Sequence, residues 1–269
     1  LARVEEAAGT GAWTEVSPAL YETLSLAQEM ARQSDGAFDV TSGTLTELWD
    51  AARAAQHPPT AEEVAAAQSR VDWRALELRM RAVDDGEHPE VRLLRAGMKI
   101  DRGALIKGLA LDGIARSWAA GGAVNALADL GSSSILACGV NAEGEPWRIG
   151  VRNPRGESRS DLAATVQLSD AVLSASGDDE RYFLYEGRRY HHLVDPRTGD
   201  PAKTGLASVT VILPQDAMTG TMWAGHEGQL SDMLSTAIFV MGAERGRSLL
   251  TDIPGAQLIL IGTDGRVIE

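Results

Sequence analysis

Val91-Arg92-Leu93-Leu94-Arg95-Ala96-Gly97-Met98-Lys99-Ile100-Asp101-Arg102-Gly103-Ala104-Leu105-Ile106-Lys107-Gly108 changes its hydrophobic period part-way along. Val91 to Leu94 and Met98 to Ile100 read as short strands, and Asp101-Arg102-Gly103 turns the chain. A helix then runs from Ala104 to Ala120 and stops at Gly121-Gly122. Upstream, Leu76 to Arg79 reads as a further strand before the turn-rich Asp84-Asp85-Gly86. Further back, Ser17 and Pro18 open a helix with Leu20, Leu24, Ala27 and Ala31 on one face, and Gly36 stops it. After His57-Pro58-Pro59, Thr60 and Glu63 form a capping box for an Ala-rich helix. Downstream, residues 133 to 213 are mostly strands, with a hairpin through Glu186-Gly187. Met218 to Gln229 reads as an exposed loop in which Trp223 joins no helical stripe. A helix over Leu230 to Met241 and a buried strand over Leu258 to Ile261 complete the pattern. Helices and strands mix without strict βαβ alternation. This predicts one α+β domain over residues 1–269, a largely antiparallel mixed sheet with flanking helices.

Composition narrows the classes. The 269 residues are 44% hydrophobic and 23% charged, ordinary globular usage that excludes wholesale disorder. The longest apolar stretches, Ala237 to Met241 and Leu258 to Ile261, fall far short of the ~20 residues of a membrane helix, so no membrane span is expected. With 25 Lys+Arg against 38 Asp+Glu the net charge is −13, which repels phosphate backbones and argues against nucleic acid as a partner. The single cysteine, Cys138, excludes an internal disulfide and a Cys-based metal cluster. Neither common phosphate-binding glycine loop is present, and no His-Glu-x-x-His or Gly-x-Ser-x-Gly.

Four segments could carry chemistry. Asp101 to Gly108 sets backbone N–H groups at a helix start beside Lys107, an arrangement suited to a pyrophosphate, or simply a helix start with a solvated lysine. Asp232, Ser235 and Thr236 share a helical face at i, i+3 and i+4. Their oxygens suit Mg²⁺, and the plain alternative is Asp232 as an N-terminal cap. His191 and His192 alternate along a strand, so at most one enters a given site; it would be a general base or a surface histidine at a hairpin end. Gly36-Ala37-Phe38-Asp39 could hold a flat heterocycle, or be a core Phe with a capping Asp.

In this order the segments resemble the FAD:protein FMN transferase family, also called the ApbE family. The resemblance extends to Pro146-Trp147-Arg148-Ile149-Gly150, Ser176-Gly177 before Glu180-Arg181, His192 to Gly199, and Asp232 to Gly242. It implies an enzyme that binds FAD and Mg²⁺ and transfers FMN to a Ser or Thr hydroxyl of an acceptor flavoprotein, releasing AMP. By matching positions, Ala37, Phe38, Asp39, Asp101, Lys107 and Leu193 would contact FAD. The Ala104 carbonyl, Asp232, Ser235 and Thr236 would hold the metal, and His192 would be the base. The resemblance also implies a first strand upstream of Leu1 and a site of action outside the cytoplasm, through an upstream lipid anchor or signal. The chain departs from the family pattern at several places. Glu5 stands where Asn is common, and Leu130-Gly131-Ser132-Ser133 replaces Leu-Gly-Gly-Asp. Ala175-Ser176-Gly177 stands for Thr-Ser-Gly, and Ser231-Asp232 for Ala-Asp after an insertion near Met218 to Leu230. Two other functions fit the same residues: hydrolysis of FAD to FMN and AMP, and flavin binding or delivery without turnover.

Overall fold

The structure, a computed structural model, describes residues 1–83, 86–131, 133–158 and 160–268. The expected turn at Asp84-Asp85 and the departure at Ser132 lie outside the described residues. In chain order the elements are α1 (Ala2–Glu6), β1 (Thr14–Glu15), α2 (Pro18–Gln33), α3 (Gly43–Ala55), α4 (Ala61–Gln68), β2 (Leu76–Val83) and β3 (Gly86–Leu93). Next come α5 (Gly103–Gly121), β4 (Ala126–Asp129), β5 (Ser134–Cys138), β6 (Trp147–Arg152), β7 (Leu162–Leu168) and β8 (Ala171–Gly177). The chain ends with β9 (Tyr182–Tyr185), β10 (Arg188–His191), β11 (Leu206–Pro214), α6 (Glu227–Met241), α7 (Ala243–Arg247), β12 (Gln257–Gly262) and β13 (Val267–Ile268). Among the described residues every strand pairing is antiparallel, as the α+β reading expects. No helix among them is long and apolar enough to cross a membrane.

The elements gather into two compact units, Leu1–Gly103 with Tyr182–Pro201, and Ala104–Arg181 with Ala202–Glu269. In the first, β1, β3 and β2 form a three-stranded sheet, and β9–β10 is a hairpin. Local chemistry explains its helices. The Ser17 hydroxyl accepts the Leu20 N–H and Pro18 occupies the first turn of α2, while Thr60 and Glu63 complete both halves of the capping box on α4. The β9–β10 hairpin turns through Glu186 and Gly187, both at positive φ, as a tight two-residue connection requires. Its inner face packs Phe183, Tyr185 and Tyr190 with Trp49 of α3.

One expected strand is absent. Met98 and Ile100 are buried, but Lys99 makes only an isolated parallel bridge to Ser42. The Ile100 N–H goes to the Glu5 carboxylate at 3.1 Å and the Asp101 N–H to the Val40 carbonyl at 2.7 Å. The apolar alternation signalled burial, and the backbone found partners other than a strand.

In the second unit a six-stranded sheet runs β13-β12-β11-β8-β5-β4, with α6 on one face. The β6–β7 hairpin closes a core on the other, where Trp147, Ile149 and Val166 pack on Ile135, Leu173 and Ile212. α6 begins at Glu227, three residues before the expected start, and Gly228 to Ser231 are buried. Trp223 is also buried, at 3% exposure, and the expected exposed loop over Met218 to Gln229 is buried continuously from His226 onward.

The turn Asp195-Pro196-Arg197-Thr198-Gly199 is held tightly within the first unit. Trp49 Nε1 donates to the Gly199 carbonyl at 2.8 Å, and Gln68 Nε2 donates to the Arg197 carbonyl at 2.5 Å. Gly199 has φ +77°, and a Cβ there would stand 2.7 Å from Val64 Cγ1. Gly199→Ala therefore combines left-handed strain with a clash against a stiff side chain, and should cost about 2–3 kcal/mol. Urea unfolding checks this; an unchanged midpoint would contradict it.

Candidate active site

The residues singled out in the sequence fall into two groups, one in each unit. In the first unit, α2 ends through Gly36 at φ +71°, whose N–H returns to the Ala31 carbonyl at 2.8 Å. Ala37 and Phe38 then enter the core, Phe38 at 2% exposure. The Asp39 carboxylate is occupied by protein donors: Oδ1 accepts from Thr41 N at 2.8 Å and Thr41 Oγ1 at 2.7 Å, and Oδ2 from Trp73 N at 3.0 Å. Burial nevertheless lifts its carboxyl to about 6, against the opposing pull of those bonds. Gly36 and Asp39 line an open cleft of about 450 Å³ whose aromatic wall is Trp73, with the Arg74 guanidinium 4.3 Å above the ring centroid. Phe38 offers no ring face to a ligand. Trp73 lines the cleft, and its buried Nε1 has no hydrogen-bond partner among the described residues.

Asp101 acts as a staple. Its Oδ1 accepts from Gly103 N at 2.9 Å and its Oδ2 from Thr46 Oγ1 at 2.8 Å. Glu5, the departure at the N-terminal side, pairs with Arg102 at 2.8 Å as well as with Ile100 N. His191 is the last residue of β10 and is buried; His192 follows in a bend and is half-buried, so strand alternation does not orient it as the sequence suggested. Leu193 is buried, and Asp195 binds Arg197 through both carboxylate oxygens at 2.8 Å.

In the second unit Lys107 stands exposed near the start of α5, one turn beyond Ala104, and its Nζ donates to Ser133 Oγ at 2.5 Å. The next residue, Gly108, donates its N–H to Asp232 Oδ2 at 3.0 Å. Asp232 lies in the second turn of α6 and is not its cap, which corrects the expected position at the helix start. Burial pushes its carboxyl up to about 6, with the Gly108 N–H and Lys107 pulling down and Asp112 pushing up. Ser235 Oγ donates to the Asp232 carbonyl at 2.9 Å. Ser176 of β8 reaches both Ser235 Oγ, at 2.8 Å, and Thr236 Oγ1, at 3.1 Å.

Sequence reasoning missed the partners. Ser133 pairs with Lys107, Ser176 joins the two hydroxyls, and the buried Asp112 binds the first turn of α6. Ser174 and Ser176 fall two apart on β8, and Ser174 also meets α6 through Ser231 at 2.8 Å. A pair of serines at strand spacing within a buried run was the available signal.

The profile of the ApbE family matches residues 1–260. The chain belongs to the ApbE family. It is 34% identical to a Treponema pallidum protein named FAD:protein FMN transferase, over 94% of this chain and 68% of that one. It spans about two thirds of the length of the curated relatives it matches. Among solved structures, the ApbE protein from Thermotoga maritima superposes with a TM-score of 0.76 at 31% identity, covering all of this chain and 80% of that one. The flavinyl transferase ApbE from Pseudomonas stutzeri, in its apo form, gives 0.75 at 27% identity over 98% and 75%.

The buried Asp39 ties stability of this ApbE chain to pH. A carboxyl lifted to about 6 in the folded state, from an ordinary value near 3.8, binds protons more readily folded than unfolded. Its contribution is fully present below the unfolded value and is lost as pH rises through about 6. Between pH 5 and 7.5 the loss amounts to about 1.4 kcal/mol. Asp39→Asn cannot titrate, so its stability deficit relative to wild type should narrow by that amount over the interval. Parallel pH profiles of the urea midpoints would refute the assignment.

Proposed function

We propose that this protein transfers FMN from FAD to a Ser or Thr hydroxyl of an acceptor flavoprotein and releases AMP. The observation that carries the reading is the adjacency of Lys107 and Gly108 on α5. The first presents a cation whose hydrogen bond among the described residues goes to a neutral hydroxyl, and the second binds the desolvated Asp232 carboxylate of α6. A pyrophosphate and a divalent cation are the ligands that such a pair suits. The family named above, whose relatives carry the transferase name, supports the same chemistry.

The residues fit a magnesium ion of one particular kind. Among the described residues no group of three or more His, Cys, Asp or Glu is arranged for a metal, so the ion would rest on a single carboxylate with neutral oxygens. Mg²⁺, which keeps several waters and shares a substrate phosphate, tolerates so sparse a set. Asp232, Ser235, Thr236 and the Ala104 carbonyl would hold it, and it would neutralise charge on the phosphate oxygens when bound.

In the proposed step the acceptor hydroxyl oxygen attacks the FMN-side phosphorus. A new phosphoester bond forms, the phosphoanhydride bond breaks, and AMP leaves with its electron pair. His192 takes the hydroxyl proton. Its Nδ1 is buried, so Nε2 is the nitrogen we assign to that task. Lys107 Nζ would turn from Ser133 to the pyrophosphate oxygens, leaving positioning and charge neutralisation as the main work of the protein. Ala37, Phe38 and Leu193 are buried, and Asp39 and Asp101 already accept from protein groups. Contact of FAD with these segments would therefore come chiefly through backbone groups.

Incubation with FAD, Mg²⁺ and a Thr-bearing acceptor flavoprotein tests the reading. Flavinylated acceptor with AMP is expected; free FMN with AMP would make the protein a pyrophosphatase, and unchanged FAD a binding protein. His192→Asn should slow transfer by roughly two to four orders of magnitude, with FAD affinity little changed. A variant with normal turnover and weakened FAD binding would make His192 a binding residue. Lys107→Ala should weaken FAD binding about 10- to 100-fold in a fluorescence titration, since a charge-assisted contact to phosphate is lost.

A further inference from the structure

α5 and α6 approach each other through glycine. A Cβ on Gly108 would lie 2.6 Å from Gln229 Cα, and one on Gly228 would lie 2.8 Å from the Gly108 carbonyl oxygen and 2.5 Å from Asp112 Oδ1. Backbone meets backbone at this point, with no room for a side chain from either glycine.

The contact is reciprocal. Asp112, one turn beyond Gly108 on α5 and 3% exposed, reaches across with its carboxylate. Oδ1 accepts from Gly228 N at 2.7 Å, and Oδ2 accepts from Gln229 N at 3.3 Å and from Gln229 Nε2 at 2.9 Å. Gly228 and Gln229 are in the first turn of α6, where backbone N–H groups have no acceptor within their own helix. His226, at the cap position, makes no side-chain cap. In return, Asp232, one turn beyond Gly228 on α6, accepts the Gly108 N–H of α5 through Oδ2. Each helix thus sends one carboxylate to the backbone of the other, at positions four residues from its own crossing glycine. Two such carboxylates reaching in opposite directions fix both the rotation and the sliding of α6 against α5.

We propose that Asp112 is a positioning residue for Asp232: by capping α6 from α5 it sets the register in which Asp232 keeps Oδ2 on Gly108 and leaves Oδ1 for the cation. Among the described residues Oδ1 has no hydrogen-bond partner. The inference rests on the metal role assigned to Asp232 above. A carboxylate is suited to the position because three donors converge on it; an amide would turn N–H groups toward the Gln229 donors.

Two measurements on the full chain test this without FAD turnover. In Asp112→Ala the Gly108 amide of the metal-free protein should exchange with deuterium at least tenfold faster, while amides further along α5 keep their protection. The Kd for Mn²⁺, titrated by electron paramagnetic resonance well below the variant's melting temperature, should rise at least tenfold. A helix cap with only a structural role would lower the melting temperature and leave both quantities unchanged in the folded protein, which would overturn the proposal. If Asp112→Ala does not fold, Asp112→Asn carries the same test. It keeps one acceptor for Gly228, and rises of threefold or more in both quantities are expected; no change in either refutes positioning. Asp232→Ala separates the two readings: Mn²⁺ binding equal to wild type would remove the metal assignment, while Gly108 exchange in the Asp112 variants still judges the register claim.

Discussion

A strand covered on both faces governs the second unit. Leu206 to Leu213 of β11 are all buried, and the strand pairs with β8 on one side and β12 on the other. Val209 lies opposite Ser176, which bonds Ser235, so that face of β11 looks toward α6. Ile212 lies opposite Leu173 and joins the core under the β6–β7 hairpin on the other face. With no solvated face, β11 is apolar at every position from Leu206 to Leu213 except Ser208 and Thr210, which are buried as well. The hydroxyl pairs Ser174–Ser231 and Ser176–Ser235 then do two things. They satisfy polar groups that burial would otherwise penalise, and they fix α6 along the sheet.

Features with a local cause were legible in the sequence. Ser17 with Pro18, Thr60 with Glu63, and Glu186 with Gly187 each complete their hydrogen bonds or dihedral needs within a few residues. The start of α6 was not, because its first N–H groups are capped by a carboxylate 116 residues away. For the same reason the alternative reading of Asp232 as a cap fails, since a distant group already binds the first turn of α6. Met98 to Ile100 illustrates the converse: alternation reported burial correctly, but Glu5 and Val40 supplied the acceptors that a neighbouring strand was expected to supply. The candidate site was readable as a set of residue types. Its supporting contacts, Ser133 to Lys107 and Ser176 to Thr236, depend on tertiary pairing that no spacing encodes.

Charge in this molecule is organised pair by pair. Against a net charge of −13, many arginines are bound to carboxylates: Arg79 and Arg81 to Glu90, Arg92 to Glu77, Arg155 to Asp178, Arg197 to Asp195. These pairs stiffen the surface and offer little to an anion. Lys107 differs in that its hydrogen bond among the described residues goes to a neutral hydroxyl, while its charge acts on the Asp232 carboxylate without an ion-pair contact. In the proposed function this is the cation that a pyrophosphate would meet.

The path of the chain through its two units has a consequence for biosynthesis. The first unit is left at Gly103 and re-entered only at Tyr182, and the second is left at Arg181 and resumed at Ala202. A ribosome delivering the chain from its N-terminus therefore completes neither unit before the other has begun. β8 emerges with β5 as a partner on one side, but its other edge waits for β11, some thirty residues later, and α6 arrives later still. During that interval Val172, Leu173 and their neighbours form an open hydrophobic edge, the kind of template on which nascent strands associate with one another. Vectorial synthesis thus imposes on this fold a window of vulnerability that refolding of the full-length chain from denaturant does not reproduce.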